Sequence, residues 1–360
     1  MPSKSSPLSR YLKLFLLVAA TAAFLYFGYG LLRSWRGSKV LLTAFAVLWG
    51  VGSAGLLYFV LNSIAETLPR RLRSTAIALV FVGPALILLA WFLVIPTLRT
   101  FWLSLFNDTS TKFVGLKNYA FAFTDPTMLE TFRNNLLWLV FGTAASVGLG
   151  LLIAVLADRA RWEKAIKAFI FMPMAISFVG AGVIWKFMYA YKGEGTGIAE
   201  IGLLNAVVQF FGGTSQAWLL TPFWNNFFLI VIMVWLQTGY AMVIISSAIK
   251  GIPSDILEAA RVDGASELTI FFRVIIPSIS GTILTVTTTI IIFSLKLFDI
   301  VRVMTGGNYG TNVIANEFYL RQFTYGQTGQ ASAIAIVLLV AIAPVLVYNL
   351  RGFRDRKAFK

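Results

Sequence analysis

The sequence contains neither cysteine nor histidine in its 360 residues. Their absence excludes disulfide bonds and thiol chemistry, the usual zinc sites, and the side chain that most often acts as a general base. Charged residues are also scarce, since they form 12% of the chain, about half of their share in average soluble domains. Hydrophobic residues form 58%. This balance favours a membrane protein over a soluble enzyme.

The apolar residues occur in long runs, without the alternating or amphipathic patterns of soluble domains. A run of about 18 or more apolar residues indicates a transmembrane helix. Six runs approach or exceed this length, and two more are interrupted by Gly, Pro or one polar residue. We therefore predict an all-α, polytopic membrane helical bundle. Its eight predicted spans are residues 14–32, 40–61, 75–98, 135–157, 168–190, 224–249, 277–298 and 331–350.

The distribution of basic residues predicts the orientation of this bundle. A net charge of +15 would suggest a nucleic-acid partner in a soluble protein, but here Lys and Arg cluster between the apolar runs. The loops on one side, together with both termini, hold 18 Lys and Arg in 73 residues, against 10 in 107 on the other side. By the positive-inside rule the first side and both termini are cytoplasmic, although loop 33–39 opposes this assignment.

Three regions follow from these spans. Residues 1–74 form a two-helix extension, residues 75–350 a six-helix core, and residues 351–360 a basic cytoplasmic tail. The first apolar run continues to Leu32, which is longer than the core of a typical signal peptide, so we expect an uncleaved span. A short interfacial helix is expected at residues 198–211.

The longest cytoplasmic connection, residues 251–277, reads GIPSDILEAARVDGASELTIFFRVIIP. It predicts two short helices. Three residues are suited to the start of the first: Pro253, Ser254 and Asp255. Gly264 can adopt the left-handed conformation that ends it. Ser266 can cap the second helix, and Pro277 is expected to open the next span.

The first of these helices is too short to be stable alone. Ile256, Leu257 and Ala260 give it a small apolar surface beside Glu258. We therefore expect it to dock into a groove on another protein. The alternative is an ordinary surface helix with a glycine at its end.

The same connection resembles the EAA loop of ABC importer permeases. The matching residues are Glu258-Ala259-Ala260, Asp263-Gly264-Ala265, Phe272 and Pro277. Flanking segments extend the likeness to sugar permeases of the maltose and glycerol-phosphate type, and most of all to the alpha-glucoside branch. These segments are VGLKNY at 114–119, Asp125-Pro126, WLQTGYAMVIISSAIKGIP at 235–253 and FDIVRVMTGGNYG at 298–310. The resemblance covers residues 75–350 and implies the core of a type I ABC importer permease.

In this family the loop is a coupling helix that lies in a cleft of a cytoplasmic ATPase. Carried over, Glu258 pairs with a basic residue of the ATPase, Ala259 and Ala260 permit close approach, and Gly264 sets the exit turn, with Asp263 beside it. Removing one partner of a buried interfacial ion pair costs about 2–5 kcal/mol. The maltose permease has a large extracytoplasmic domain before its fourth span, whereas the corresponding loop here is only 99–134.

The resemblance also implies substrate-contacting residues on the sixth and seventh spans. They are Trp235, Gln237, Tyr240, Phe293, Ser294 and Lys296. Amide, hydroxyl and aromatic groups together suit a sugar. Other roles stay open, because Gln also links helices, Trp and Tyr also pack, and Lys296 could extend towards the headgroups or Asp299. The hydroxyls of Thr285, Thr287, Thr288 and Thr289 are expected to bond to their own helix.

The chain has no G-x-x-x-x-G-K-[ST] phosphate loop and is not expected to hydrolyse ATP or to bind a cofactor or metal itself. The resemblance implies half of the translocation pathway of a sugar importer of the inner membrane, for α-glucosides or disaccharides such as maltose and trehalose. Its implied partners are a second permease, two ATPases that use ATP and Mg²⁺, and an extracytoplasmic sugar-binding protein. A secondary transporter or channel is the alternative, but the predicted spans lack the acidic residues that ion coupling uses.

Overall fold

A computed structural model describes residues 7–158, 160–193 and 202–357 of the chain. Apart from one isolated β-bridge between Phe106 and Phe113, the regular structure in these ranges is helical. The helices run in chain order as α1 (Pro7–Ser34), α2 (Lys39–Thr67), α3 (Arg70–Ser104), α4 (Lys117–Thr124), α5 (Pro126–Asp158), α6 (Glu163–Phe171), α7 (Phe178–Met188), α8 (Leu203–Phe210), α9 (Trp224–Lys250), α10 (Ser254–Val262), α11 (Glu267–Leu295), α12 (Asp299–Met304), α13 (Ile314–Tyr319) and α14 (Thr328–Lys357).

Seven helices in these ranges are long and apolar enough to cross a membrane, and the bent pair α6–α7 would make eight. The predicted all-α membrane bundle is thus confirmed. The helix predicted at 198–211 is present as Leu203–Phe210, and the part of it before residue 202 lies outside the described residues.

The fifth predicted span, residues 168–190, is not one straight helix. Helices α6 and α7 meet at an angle of 102°. Pro173 lies in the short 3-10 turn Met172–Ala175, and Ile176 and Ser177 then adopt extended backbone conformations. The hydroxyl of Ser177 accepts a hydrogen bond from Gly180 N at 3.1 Å and so starts α7. The span was predicted from its apolar composition, which does not reveal this bend.

The chain divides into two compact units, Met1–Leu98 and Arg99–Lys360, with the division inside α3. In the first unit, the indole of Trp49 lies directly against Gly28 and donates a hydrogen bond to Phe24 O at 3.3 Å. In the second unit, α9 is the central helix, and 61% of its most apolar window is buried. Leu229, Met233 and Met242 of this helix are completely buried.

In the connection 251–277, the first predicted short helix is present as α10, whereas the second is the start of the long helix α11. Gly264 ends α10 with φ of +78°, which confirms the left-handed turn. No side chain caps the start of α10, because the Ser254 hydroxyl instead bonds to Asp255 at 3.3 Å. The Ser266 hydroxyl does cap the next helix by accepting from Thr269 N at 3.2 Å.

Pro277 does not open a new helix, contrary to the prediction. It lies inside α11, which runs without interruption from Glu267 to Leu295. The five residues Phe271–Ile275 just before it form a π-helical turn in which Ile276 N bonds to Phe271 O. Because proline has no backbone N–H and crowds the preceding turn, a wider turn at this place lets the helix continue.

A cavity between the bent helix pair and two long helices

The second unit contains a cavity of about 370 Å³. Its walls come from the turn between α6 and α7, from the middle of α9 and from the C-terminal half of α11. The lining residues are Met174, Ile176, Phe178, Leu236, Gln237, Tyr240, Thr289, Ile292, Phe293 and Lys296. This volume lies within the usual range of small-molecule sites, about 300–1,000 Å³.

The bend between α6 and α7 creates one wall of this cavity. Pro173 and the extended residues after it place Ile176 and Phe178 towards α9 and α11, and the rings of Phe178 and Phe293 lie 4.7 Å apart. Helix α6 can approach α9 closely because Gly239 has no side chain. A Cβ atom at Gly239 would lie 2.5 Å from Ile170 O.

The structure brings together four of the six substrate residues that the sequence suggested: Gln237, Tyr240, Phe293 and Lys296. The other two lie outside the cavity. Trp235 packs edge-to-face on Trp185, with ring centroids 5.8 Å apart. Ser294 is completely buried, and its hydroxyl has no hydrogen-bond partner among the described residues.

The polar groups of the cavity are available to a ligand. Gln237 is only 8% exposed. Its side-chain amide nevertheless forms no hydrogen bond with any residue that the structure describes. The same holds there for the hydroxyl of Tyr240. The ammonium group of exposed Lys296 forms no ion pair with Asp299 or any other described carboxylate. An unpaired amide in an apolar enclosure has a strong tendency to bind a polar group.

The threonines of α11 bond to their own helix, as predicted. The hydroxyls of Thr285, Thr287, Thr288 and Thr289 each donate to a carbonyl oxygen three or four residues earlier, at 2.8–3.0 Å. Thr288 also contacts the side chain of Asn349, at 2.8 Å, and so links α11 to α14. Among these residues only Thr289 lines the cavity.

Helix α10 exposes Glu258 and Ala259 of the EAA motif on one side and packs the other side on its own bundle. Glu258, Ala259 and Asp263 are exposed, whereas Leu257 and Ala260 are half-buried against the core. The sequence had placed Leu257 and Ala260 on the surface for another protein. Ile256, the third residue predicted for that surface, is exposed at 48%, and Val262 is exposed at 87%.

Two polar groups had no counterpart in the sequence interpretation. On the predicted extracytoplasmic side, five buried asparagines bond to loop 305–313 or to one another: Asn134, Asn225, Asn226, Asn312 and Asn316. Glu317, 2% exposed, holds Arg321 at 2.6 Å and Asn312 at 2.6 Å. The i, i+4 spacing of Glu317 and Arg321 was the available signal. The second group surrounds Lys167.

No group of three or more Asp or Glu residues in the described ranges is placed to hold a metal ion. Residues 146–359 match the model of a family described as binding-protein-dependent transport system inner membrane component. The chain is 55% identical over 280 residues to the osmoprotective compounds uptake permease protein GgtC of Synechocystis sp., covering 78% of this chain and 100% of that protein. It is 48% identical over 273 residues to the alpha-glucoside transport system permease protein AglF of Rhizobium meliloti, covering 76% and 81%.

A solved structure has the same fold at low sequence identity. It is a bacterial alginate ABC transporter in complex with an alginate pentasaccharide-bound periplasmic protein, matched with a TM-score of 0.64 and 20% identity over 74% of this chain and 90% of that chain. The chain therefore belongs to the binding-protein-dependent transport system inner membrane components, as a multi-pass permease subunit of an ABC importer.

Proposed function

We propose that this permease conducts α-glucosides, including disaccharides such as maltose and trehalose, and that the cavity is its half of the sugar site. The supporting observation is the combination of Gln237 and Tyr240, whose polar groups are unbonded, with the ring of Phe293 on the facing helix. The amide and phenol would bond to sugar hydroxyls, and the ring would cover the apolar face of a pyranose. The alpha-glucoside permease among the relatives supports this substrate class.

A complete importer would add a second permease, two cytoplasmic ATPases that use ATP and Mg²⁺, and an extracytoplasmic sugar-binding protein. This subunit itself would bind no cofactor, and both of its termini would be cytoplasmic. Helix α10 would insert its exposed side, with Glu258, Ala259 and Val262, into the ATPase. Closure of the ATPases on ATP would then move α10 and turn the bundle outward to receive sugar, and reset would release the sugar inward.

The sugar site is tested by Gln237→Ala, with Thr238→Val as the matched control. Thr238 lies beside Gln237 on α9, but its hydroxyl only bonds to Val234 O, at 2.6 Å. Loss of one buried hydrogen bond costs about 1–3 kcal/mol, so glucoside uptake by Gln237→Ala should fall roughly fivefold or more. Copurification of the subunits should be unchanged in both variants. Failure of the complex to assemble would instead assign Gln237 to helix packing.

The coupling assignment is tested by Glu258→Ala, with Asp255→Ala as the control. Both carboxylates are exposed on α10, but only Glu258 belongs to the matching motif. Glu258→Ala should lose sugar-stimulated ATP hydrolysis and uptake together, since breaking a buried interfacial ion pair costs about 2–5 kcal/mol. Wild-type uptake by Glu258→Ala would refute the coupling role. An ion-driven transporter, the competing function, would purify without an ATPase.

A further inference from the structure

A second polar cluster lies where α5 ends, α6 begins and α9 ends. We call it the α6–α9 clamp, and it consists of Asp158, Glu163, Lys167, Ser246 and Lys250. The ammonium group of Lys167 donates to the carboxylate of Asp158, to the hydroxyl of Ser246 and, at 2.6 Å, to Glu163. Ser246 donates to Asp158 at 2.7 Å, and Lys250 pairs with Glu163.

The inner part of the clamp is shielded from water. The side chains of Lys167 and Asp158 are 17% and 12% exposed, whereas that of Lys250 is 52% exposed. Ion pairs exposed to solvent contribute little, and charge-assisted hydrogen bonds shielded from water are stronger. Here Asp158 Oδ1 accepts from both Lys167 and Ser246, whereas its Oδ2 has no partner among the described residues. Lys167 is therefore the main shielded link from α6 to Asp158 at the end of α5 and to Ser246 of α9, beside the exposed Glu163–Lys250 pair.

The clamp lies on the route from α10 to the cavity. Lys250 is the last residue of α9, and α10 begins at Ser254 after a single turn. At its other end α6 leads directly into Met174 and Ile176 of the cavity wall. Near the cavity α6 is already fixed to α9 by the close approach of Ile170 to Gly239.

We propose that Lys167 is a positioning residue for transport, which makes α6 and α9 move as one body. This inference rests on the proposed coupling role of α10. With both ends of α6 fixed to α9, a displacement at Lys250 reaches the cavity wall at Met174 and Ile176. Without the Lys167 link, α6 is held to α9 at this end only by the solvent-exposed Glu163–Lys250 pair. The same displacement then turns α9, and the cavity wall does not follow it fully. ATP is then hydrolysed without full import.

The competing explanation is that the cluster only satisfies buried charge and so permits folding. The two explanations differ for the double variant Asp158→Asn with Lys167→Met. Removing one partner of a shielded pair leaves an uncompensated charge, whereas removing both relieves it. The double variant should therefore assemble. It also lacks the link, since the remaining Glu163–Lys250 pair is exposed to solvent.

The experiment uses the complete complex in proteoliposomes and measures glucoside imported per ATP hydrolysed. Lys167→Met and the double variant are compared with Lys164→Met, which changes an exposed lysine of α6 outside the clamp. We expect the ratio to fall in both clamp variants by roughly twofold to thirtyfold, the effect of about 0.5–2 kcal/mol on a coupling free energy. Lys164→Met should keep the wild-type ratio.

A double variant that assembles and recovers the wild-type ratio would overturn the clamp and assign the cluster to folding alone. If the double variant does not assemble, Ser246→Ala decides the question: a lowered ratio supports the clamp and an unchanged ratio overturns it. Glu258→Ala belongs in the same assay. If Glu258→Ala transports like the wild type, the coupling role of α10 is overturned. If transport by Glu258→Ala is impaired while Lys167→Met keeps the wild-type ratio, only the clamp is overturned.

Discussion

Glu317 is the most deeply buried acidic residue among those that form ion pairs in the described ranges, with a side chain 2% exposed. Its carboxylate accepts from Arg321 and from Asn312, both at 2.6 Å. The guanidinium of Arg321 also lies 4.7 Å from the ring centroid of Phe121 on α4. One carboxylate thus joins loop 305–313, α13 and α4 on the predicted extracytoplasmic side.

Replacing Glu317 by Gln should destabilise the permease strongly. The change removes the carboxylate that neutralises Arg321 in a shielded place and leaves only the neutral Gln327 and Gln330 as its hydrogen-bond acceptors. Breaking a buried pair in this way costs about 3–5 kcal/mol. Glu130→Gln is the matched control, because the Glu130–Arg133 pair spans 3.9 Å and is exposed. Thermal unfolding of the purified complex should shift clearly for the first variant and little for the second. Equal shifts would contradict the assignment.

Helical spacing separates the site residues that the family resemblance had grouped together. Gln237 and Tyr240 are three residues apart, as are Phe293 and Lys296, so each pair shares one face of its helix. Trp235 lies two residues before Gln237, and Ser294 lies one residue after Phe293. Their side chains therefore point to other faces of the two helices. Periodicity could have predicted which four line the cavity. It could not show that α9 and α11 face each other across the α6–α7 bend.

At the scale of elements, apolar run length predicted the existence of the long helices but not their continuity. Pro173 is accompanied by a sharp break, whereas Pro277 lies within an unbroken helix. After Pro173, the extended residues Ile176 and Ser177 interrupt the helix, and a new helix starts behind them. Before Pro277, a wider π-helical turn makes room for the proline ring, and the helix continues. These backbone choices depend on neighbouring helices, and local sequence does not encode them.

The packing of α5 against α9 allows a clean test with two glycines of one helix. A Cβ atom at Gly150 would lie 2.5 Å from Ala241 Cβ and 2.9 Å from Met242 N, whereas one at Gly148 would meet nothing within 4 Å. Gly150→Ala should therefore force the helices apart and cost about 1–3 kcal/mol. Gly148→Ala should be neutral or stabilising, because Ala favours helix by about 1 kcal/mol. Unfolding of the purified complex measures both, and an unaffected Gly150→Ala would refute this close approach.

At the scale of the whole molecule, the chain is longer than its cyanobacterial relative. All of the cyanobacterial relative aligns with 78% of this chain. The boundary between the two compact units falls after Leu98, within α3, whereas the sequence suggested an extension ending at residue 74. In each of α1 and α2, only 6% of the most apolar 18-residue stretch is buried. We therefore expect the first two helices to be dispensable for the translocation pathway itself.

Deletion of residues 1–68 should leave import intact, because it removes a pair of spans. Arg70, Arg71 and Arg73 then still precede α3 on the predicted cytoplasmic side, so the predicted orientation of every later helix is kept. Deletion of residues 37–68 should fail, because it removes α2 alone. It joins α1 to the three arginines, so that either α1 or the core must insert against the positive-inside rule.

Both deletion variants are tested by glucoside uptake and by labelling of single cysteines. The cysteines can be introduced one at a time because the chain has none. We expect a cysteine in residues 251–276 to stay cytoplasmic after the deletion of 1–68 and to become partly accessible from outside after that of 37–68. Equal uptake by the two proteins would contradict the predicted topology. Loss of uptake by the first at normal membrane levels would make the extension part of the transport machinery, because the orientation of the core is unchanged there.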